Sequence, residues 1–246
     1  MVMVDGSIGN YEQNNEERLA LTWIRENSRC TMPKMIKIDR PKISPGLEAV
    51  NLHDVFHEEE PELVNCSIAN AQLENRSVDR MIISKVILKN VSLMNSTLMN
   101  IDATDVIFDN CNLSNTRLGR GNIYRAEFRN CKLMGLDLSE STLGNVLFEN
   151  CDLNMSDYAE SRLKQVNFEE SLLRGSNFVH TMFHKISLNR CDLNDADFTH
   201  TLLEGIDIST CTFEKIHVSL GNLVGCEVSP SQAIAFATLF GLKVKE

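Results

Sequence analysis

"CNLSNTRLGRGNIYRAEFRNCKLMGLDLSESTLGNVLFEN", residues 111–150, places a large apolar residue at every fifth position. This frame extends from Leu63 to Val228 and covers 34 positions, of which 32 are Leu, Ile, Val or Phe. Only Ala103 and Tyr158 depart from it, whereas the frame one residue later holds just three such residues. A five-residue period drifts around an α-helix of 3.6 residues per turn, and it does not match the two-residue alternation of a strand. The pattern therefore predicts a repeat architecture.

The positions on either side of this frame are also restricted. Two residues before each frame residue stands Ala, Cys, Ser, Thr, Val, Ile or Gly at 30 of the 34 sites. Two residues after it, Asn is frequent, as at Asn65, Asn90 and Asn110. Asn tolerates tight turns because its side chain hydrogen-bonds nearby backbone. Each unit is thus predicted to contribute one large and one smaller inward side chain and then a corner.

The units CNLSN (111–115), AEFRN (126–130) and ADFTH (196–200) resemble the A(D/N)LXX pattern of the pentapeptide-repeat family. The resemblance implies an all-β solenoid, a right-handed quadrilateral β-helix with four such units in each coil. The corresponding 20-residue period is also visible in the sequence itself, since Phe recurs at that interval. On this basis residues 61–228 are predicted to form about 8.5 coils. The recurring phenylalanines are Phe108, Phe128, Phe148 and Phe168.

Cysteine and histidine positions follow the same periods. Seven of the eight cysteines occupy the smaller inward position, and only Cys30 lies outside the repeat. Free Cys packs as a small apolar residue, so we expect buried ladders rather than disulfides or a metal site. His180 and His200 are separated by one full coil period and are expected to stack on one outer edge. A surface metal site at this pair is the alternative, but no metal or other cofactor is predicted.

The two ends of the chain lie outside the frame. Residues 1–60 are predicted to form an N-terminal arm, partly helical or disordered, whose extended part from Arg40 packs on the first coil. Residues 229–246 are predicted to form a capping helix followed by a short strand at 242–244, because Ser229 and Gln232 make a capping box and Gly241 ends the helix. This segment either plugs the coil end or forms a homodimer interface, and the dimer is the favoured interpretation. The interface residues would be Ile234, Phe236, Ala237, Phe240, Leu242 and Val244.

Composition and the absence of known motifs exclude several classes of function. No apolar run reaches the roughly 18 residues that suggest a membrane-spanning helix, and no signal-peptide pattern begins the chain. A cytoplasmic protein without membrane contact is therefore expected. The net charge of −10 argues against direct nucleic-acid binding. P-loop, GxGxxG, HExxH and GxSxG motifs are absent, and regular corners offer no long loop to build a cleft, so the chain is predicted not to be an enzyme.

Acidic residues concentrate on particular faces of the later coils. Residues 61–144 carry 9 acidic and 9 basic residues, whereas residues 145–228 carry 13 acidic and 6 basic residues. By contrast, the face around Ile123, Leu163 and Phe183 is basic. A solvated surface without a partner is one interpretation, and a partner-binding surface is the other. The candidate binding residues are Asp137, Glu140, Asp157, Glu160 and Asp197 on one face, and Glu149, Glu169, Glu170 and Asp207 on a second.

A second resemblance suggests the partner. Residues 202–244, ending in SPSQAIAFATLFGLKV, look like the end of chromosomal Qnr-type proteins of Gram-positive bacteria. This resemblance implies a dimer that imitates duplex DNA, engages DNA gyrase or topoisomerase IV, and protects them from quinolones. The repeat has no projecting loops, unlike the Qnr proteins of Gram-negative bacteria. A general protein-interaction scaffold or adaptor is the alternative function.

Overall fold

The structure is a computed structural model, and it describes residues 36–52 and 61–245. The chain divides into two compact units, residues 1–34 and 35–246, and every described residue belongs to the second unit. The helix or disorder expected within residues 1–35 lies outside the described residues, as does Cys30.

One parallel sheet of nine strands runs through most of the second unit. Its strands pair from one coil to the next, so that Phe148 lies opposite both Phe128 and Phe168. A separate pair of short strands, β4 (Ser77–Asp79) and β6 (Thr97–Met99), forms a second parallel sheet. This register confirms the predicted all-β solenoid of five-residue units. The nine strands are β1 (Glu48–Ala49), β2 (Glu62–Val64), β3 (Cys66–Ala69), β5 (Ile82–Lys89), β7 (Asp102–Asp109), β8 (Asn122–Arg129), β9 (Thr142–Glu149), β10 (Arg162–Glu169) and β11 (Met182–Asn189).

The solenoid has about seven turns. Beyond β11 the 20-residue register continues only through isolated bridges, the last of which joins Asp207 to Glu227. The cause is local, since a turn at positions 204–205 replaces the bent strand of earlier coils. Gly205 has a φ of 71°.

From Asn65 to Gly205 the corners lie two residues after each frame residue, as the sequence predicts. Asn65, Asn90 and Asn110 all adopt a positive φ of 50° to 54°. This left-handed conformation favours Asn and Gly, because most other side chains bring Cβ too close to the backbone. Several corners nevertheless carry charged or long residues, among them Glu160, with a φ of 58°.

The interior is a set of side-chain ladders. The phenylalanines at the 20-residue interval stack with ring centroids 4.6 to 5.0 Å apart. A second ladder joins Tyr158, Phe178 and Phe198, whose centroids lie 4.7 and 4.9 Å apart. Six cysteines are buried and free, and Cys226 is half-buried. Most of their thiols approach a backbone carbonyl, as Cys131 Sγ does at 3.4 Å from Phe108 O, so the predicted interior role of cysteine is confirmed.

A single described α-helix, α1 (Pro230–Leu239), closes the C-terminal end of the coils. Ser229 and Gln232 form the predicted capping box. The Gln232 amide also donates to the carbonyls of Ile208 and Cys211, at 2.8 and 2.9 Å, and so fastens the helix to the coil end. Gly241, with a φ of 83°, ends the helix as predicted.

The short strand predicted at 242–244 is not present. The Leu242 N–H turns back to the Ala237 carbonyl at 2.9 Å, which completes the helix C-terminal cap. Lys243 and Val244 donate no backbone hydrogen bond to any other described residue. A strand needs a neighbouring backbone edge, and the cap leads the chain away from one. In the described ranges, no helix is long and apolar enough to cross a membrane.

Candidate partner-binding surfaces

One face of the coils carries a row of carboxylates that we name the acidic strip: Asp137, Glu140, Asp157, Glu160 and Asp197. Bridge pairs link Asp137 to Asp157, Asp157 to Asn177, and Asn177 to Asp197. Neighbouring coils are about 4.8 Å apart. The structure therefore brings the five predicted residues of this face together, in the expected order.

The aspartates of the acidic strip also shape the backbone beneath them. In each case one carboxylate oxygen accepts the N–H of the residue two positions later, which is the local pattern by which Asp stabilises a turn. For Asp157 this acceptor distance to the Ala159 nitrogen is 2.9 Å, and the Asn177 amide donates to the same oxygen at 3.0 Å. The equivalent contacts of Asp137 and Asp197 are 3.0 and 2.8 Å. One oxygen of each carboxylate is thus used internally, and in Asp157 and Asp197 the other remains available to a partner.

Basic residues neutralise only the first coil of the acidic strip. Arg117 lies 3.4 Å from the Asp137 carboxylate, and Arg120 lies 3.5 Å from that of Glu140. Among the described residues, Asp157, Glu160 and Asp197 form no ion pair. The open part of the acidic strip consequently begins at Asp157.

The second predicted acidic face is largely paired. Arg190 reaches both Glu169 and Glu170, at 2.9 and 2.7 Å. Arg129 lies 3.7 Å from Glu149. These partners come from adjacent coils, and counting one coil period along the sequence would have found them. Asp207 stands apart from this group and accepts from the Ser209 N–H at 2.8 Å.

Two further carboxylates, which the sequence did not single out, are buried on the sheet face. Asp105 and Glu127 are 3 % and 2 % exposed. Asp105 forms a two-point ion pair with Arg125, at 2.6 and 2.7 Å, and Glu127 contacts the guanidinium groups of Arg40 and Arg129. The Arg125 guanidinium, helped by the Lys42 backbone N–H, lowers the pKa of Asp105 below its usual value.

A segment far away in sequence passes over these buried carboxylates. We name residues 36–43 the strap. The Lys42 N–H donates to Asp105 at 2.9 Å, and Arg40 bonds Glu127 at 2.8 Å. The N-terminal arm packs on the first coil, as expected, through β1, which pairs with β3. The strap reaches later coils as well, and its far end contacts Asn167. The fixed period of the repeat gave no sign of this, because outward positions of a coil are normally exposed.

The C-terminal end presents an apolar surface made of α1 and the residues after it. Ile234, Phe240, Leu242 and Val244 are 53 %, 38 %, 64 % and 51 % exposed. Ala237 is half-buried. Phe236 differs from the others predicted for an interface, since it is 7 % exposed and its ring lies 5.5 Å from that of Phe213. Phe236 therefore belongs to the cap, because its position in α1 turns it toward the coil end.

The histidine pair stacks as predicted. The rings of His180 and His200 are 4.5 Å apart at their centroids and nearly parallel, with an angle of 11° between them. Within residues 36–52 and 61–245, no three His, Cys, Asp or Glu side chains lie close enough together to hold a metal ion.

Comparison with protein families identifies the repeat. Residues 101–178 match the model of the pentapeptide repeat region. The five-residue register of the structure runs through and beyond these residues. The chain contains a pentapeptide repeat region. No curated protein matches the sequence.

Several solved pentapeptide-repeat structures are similar to this chain at low identity. QnrB1, described as a plasmid-mediated fluoroquinolone resistance protein, is 17 % identical, with 72 % of this chain and 100 % of that chain covered and a TM-score of 0.35. HetL of the cyanobacterium Nostoc sp. strain PCC 7120, described as involved in regulating heterocyst differentiation, is 12 % identical. That match covers 74 % of this chain and 95 % of HetL, with a TM-score of 0.23.

Proposed function

We propose that this chain is a non-enzymatic, cytoplasmic binding protein that engages DNA gyrase or topoisomerase IV through the acidic strip. The observation that carries the proposal is the group of open carboxylates Asp157, Glu160 and Asp197 on one face, with Asn177 in the coil between Asp157 and Asp197. A protein surface that binds duplex DNA is basic and contacts the negative charges of the phosphates. The acidic strip presents negative charges that such a basic surface could bind in place of DNA.

Charge density limits how such mimicry would work. Duplex DNA carries about one charge per 1.7 Å, so a 40 Å length carries about 24. Residues 61–228 hold 22 acidic and 15 basic residues, a net charge of only −7. The attraction must therefore come from the local density of the acidic strip together with the shape of the coils. Binding should weaken as salt is added, since exposed charges are screened.

A homodimer through the apolar C-terminal surface accompanies this proposal. Exposed apolar patches rimmed by polar residues commonly mark protein–protein contacts. Phe236 is excluded from the test because it holds the cap, so the variant is Ile234→Glu with Phe240→Glu. We expect light scattering to give a dimer for the wild type and a monomer for the variant, with an unchanged far-UV circular dichroism spectrum. A monomeric wild type would show that α1 is only a cap.

The direct test is a gyrase supercoiling assay with and without ciprofloxacin, across a titration of this protein. The wild type is expected to inhibit supercoiling or to relieve the drug, and Asp157→Lys with Glu160→Lys should reduce that effect at least tenfold. Glu62→Lys with Asp102→Lys is the matched control, since it makes the same charge change at exposed positions of earlier coils. No inhibition, no relief and no complex would refute the proposal. Capture of another protein that survives the strip variant would instead support the scaffold function.

A further inference from the structure

The strap is held by its backbone, which is how a protein binds an extended peptide. Two side chains of the coils donate to strap carbonyls, and two others accept strap N–H groups. Main-chain contacts of this kind give affinity that depends little on peptide sequence. The four contacts are Asn167 Nδ2 to Ile36 O at 2.9 Å, Gln165 Nε2 to Lys37 O at 3.2 Å, Asp39 N to Asn145 Oδ1 at 2.9 Å, and Lys42 N to Asp105 Oδ1 at 2.9 Å.

The spacing of these contacts suits an extended chain. Asp39 and Lys42 are three residues apart, about 10 Å in an extended backbone. Their acceptors, Asn145 and Asp105, are two coils apart, about 9.6 Å. The length of three extended residues therefore matches the height of two coils. Side chains at this corner of the solenoid can hydrogen-bond an extended backbone at every third residue.

The side chains of the strap add a preference for basic and apolar residues. Ile36, Ile38, Pro41 and Ile43 are half-buried, while the charged residues between them are exposed. Arg40 is exposed like the other charged residues, but its guanidinium also contacts the buried carboxylate of Glu127. Charge-assisted hydrogen bonds of this kind are among the stronger ones.

One polar atom beneath the strap has no partner. Asn167 is 2 % exposed, and its Oδ1 accepts no hydrogen bond, while its Nδ2 donates to the strap. A buried acceptor without a donor costs free energy. An extended chain with a different register or a different residue here would supply a backbone N–H to this oxygen, so the strap leaves part of the recognition surface unused.

The strap is also connected in a way that permits exchange. It contributes no strand to the sheet, and residues 44–47 separate it from β1, with a φ of 84° at Gly46. At Ile36 the groove opens into a cavity whose apolar lining comes from Phe183, Ile186, Leu202 and Ile206 and whose charged lining comes from Lys185 and Glu204. A longer extended chain would place a further apolar side chain in this cavity.

We propose that the sheet face beneath the strap is a binding groove for an extended basic segment of another protein, with the strap as its resident occupant. The recognised segment alternates apolar and charged residues and carries an arginine that reaches Glu127. Its backbone uses the contacts that now hold Ile36, Lys37, Asp39 and Lys42. This groove shares no residue with the acidic strip, so the two surfaces can be tested separately.

The test uses the full chain and a fluorescein-labelled synthetic peptide with the sequence of residues 35–47, followed by fluorescence anisotropy. Arg40→Glu in the protein places a carboxylate against Glu127 and should release the strap. We expect the Arg40→Glu chain to bind the peptide at least tenfold more tightly than the wild type does. The matched control is Lys132→Glu, which makes the same charge change at an exposed side chain outside the strap and the groove and should leave the affinity unchanged.

Two further measurements keep the result interpretable. Glu127→Gln added to Arg40→Glu should lower the peptide affinity at least tenfold, while circular dichroism and the melting temperature check that each variant folds. Peptide affinity of the Arg40→Glu chain no higher than wild type would overturn the proposal, whether or not hydrogen exchange shows the strap released. With Ile234→Glu and Phe240→Glu added to remove the proposed C-terminal dimer, dimers of the Arg40→Glu chain in sedimentation without peptide binding would assign the groove to the strap of a second copy. That result would also overturn the proposal.

Discussion

The acidic strip and the strap-covered groove use the same repeat positions for opposite purposes. Asp157 and Glu127 each stand directly before a frame residue, and Glu160 and Asp105 each stand at a corner. In the acidic strip these carboxylates are at least partly exposed and form no ion pair with described residues. In the groove they are buried and bound to arginines. The repeat position thus fixes the direction of a side chain, and the neighbouring chain decides its chemistry.

The largest expected difference between the two surfaces is in stability. Asp105→Ala leaves the Arg125 guanidinium, with 17 % of its side chain exposed, without a partner, and it removes the acceptor of Lys42. Breaking one half of a buried ion pair costs about 3 kcal/mol or more. Asp157→Ala, which loses the turn contact to Ala159 and the Asn177 amide contact at the surface, should cost about 1 kcal/mol. Urea unfolding of both variants measures the two values, and equal costs would contradict the contrast.

The pH dependence of stability should separate the same two surfaces. Because the folded-state pKa of Asp105 is lowered, its stabilising contribution is fully present above the unfolded carboxyl pKa of about 3.9. That contribution is lost as the pH falls through the lower folded value. We expect the free energy of unfolding of the wild type to fall more steeply below pH 4 than that of Asp105→Asn. Parallel curves would show that the Arg125 pair does not govern acid unfolding.

A smaller effect is expected in the core behind the acidic strip. The Tyr158 side chain is fully buried in the second aromatic ladder, and its hydroxyl has no hydrogen-bond partner of suitable geometry. Burial of an unpaired hydroxyl costs about 1 to 3 kcal/mol, so Tyr158→Phe should raise the free energy of unfolding by about 1 kcal/mol. The change leaves the strip's charge intact and should not alter partner binding. Loss of stability in the Phe variant would reveal a contact for the hydroxyl.

The smallest expected change in stability lies at a corner of the acidic strip. Glu160 has a positive φ, which Asn adopts more readily than Glu. Glu160→Asn should therefore stabilise the fold by about 0.5 kcal/mol while it removes one charge from the strip. A variant that is more stable but binds its partner more weakly would separate function from folding. Glu140→Asn is the comparison, since Arg120 already neutralises that carboxylate.

Much of the coil architecture was predictable because it is encoded locally. The five-residue frame, the corners at positions such as Asn90, the aromatic ladders and the capping box at Ser229 each depend on residues close in sequence or one coil period apart. The frame does not show where the strands end, because its apolar residues continue beyond β11. A turn at positions 204–205 follows β11 without changing the apolar pattern.

The surfaces were less predictable because they depend on distant contacts. The order of the acidic strip followed from the 20-residue period. The burial of Glu127 did not, because its partner Arg40 is 87 residues away. Phe236 was expected at an interface since α1 has apolar residues around its circumference, and only the position of Phe213 assigns it to the cap.

The central claim is that the open acidic strip attracts a basic partner, and the salt dependence of binding tests it most directly. The measurement is the association rate of this chain with immobilised DNA gyrase between 50 and 300 mM NaCl, for the wild type and for Asp157→Lys with Glu160→Lys. Attraction between exposed charges raises association rates and is screened by salt. We predict that the wild-type rate falls about tenfold or more over this range and that the variant associates slowly at every salt concentration. Equal rates with equal salt dependence for the two proteins would contradict the account.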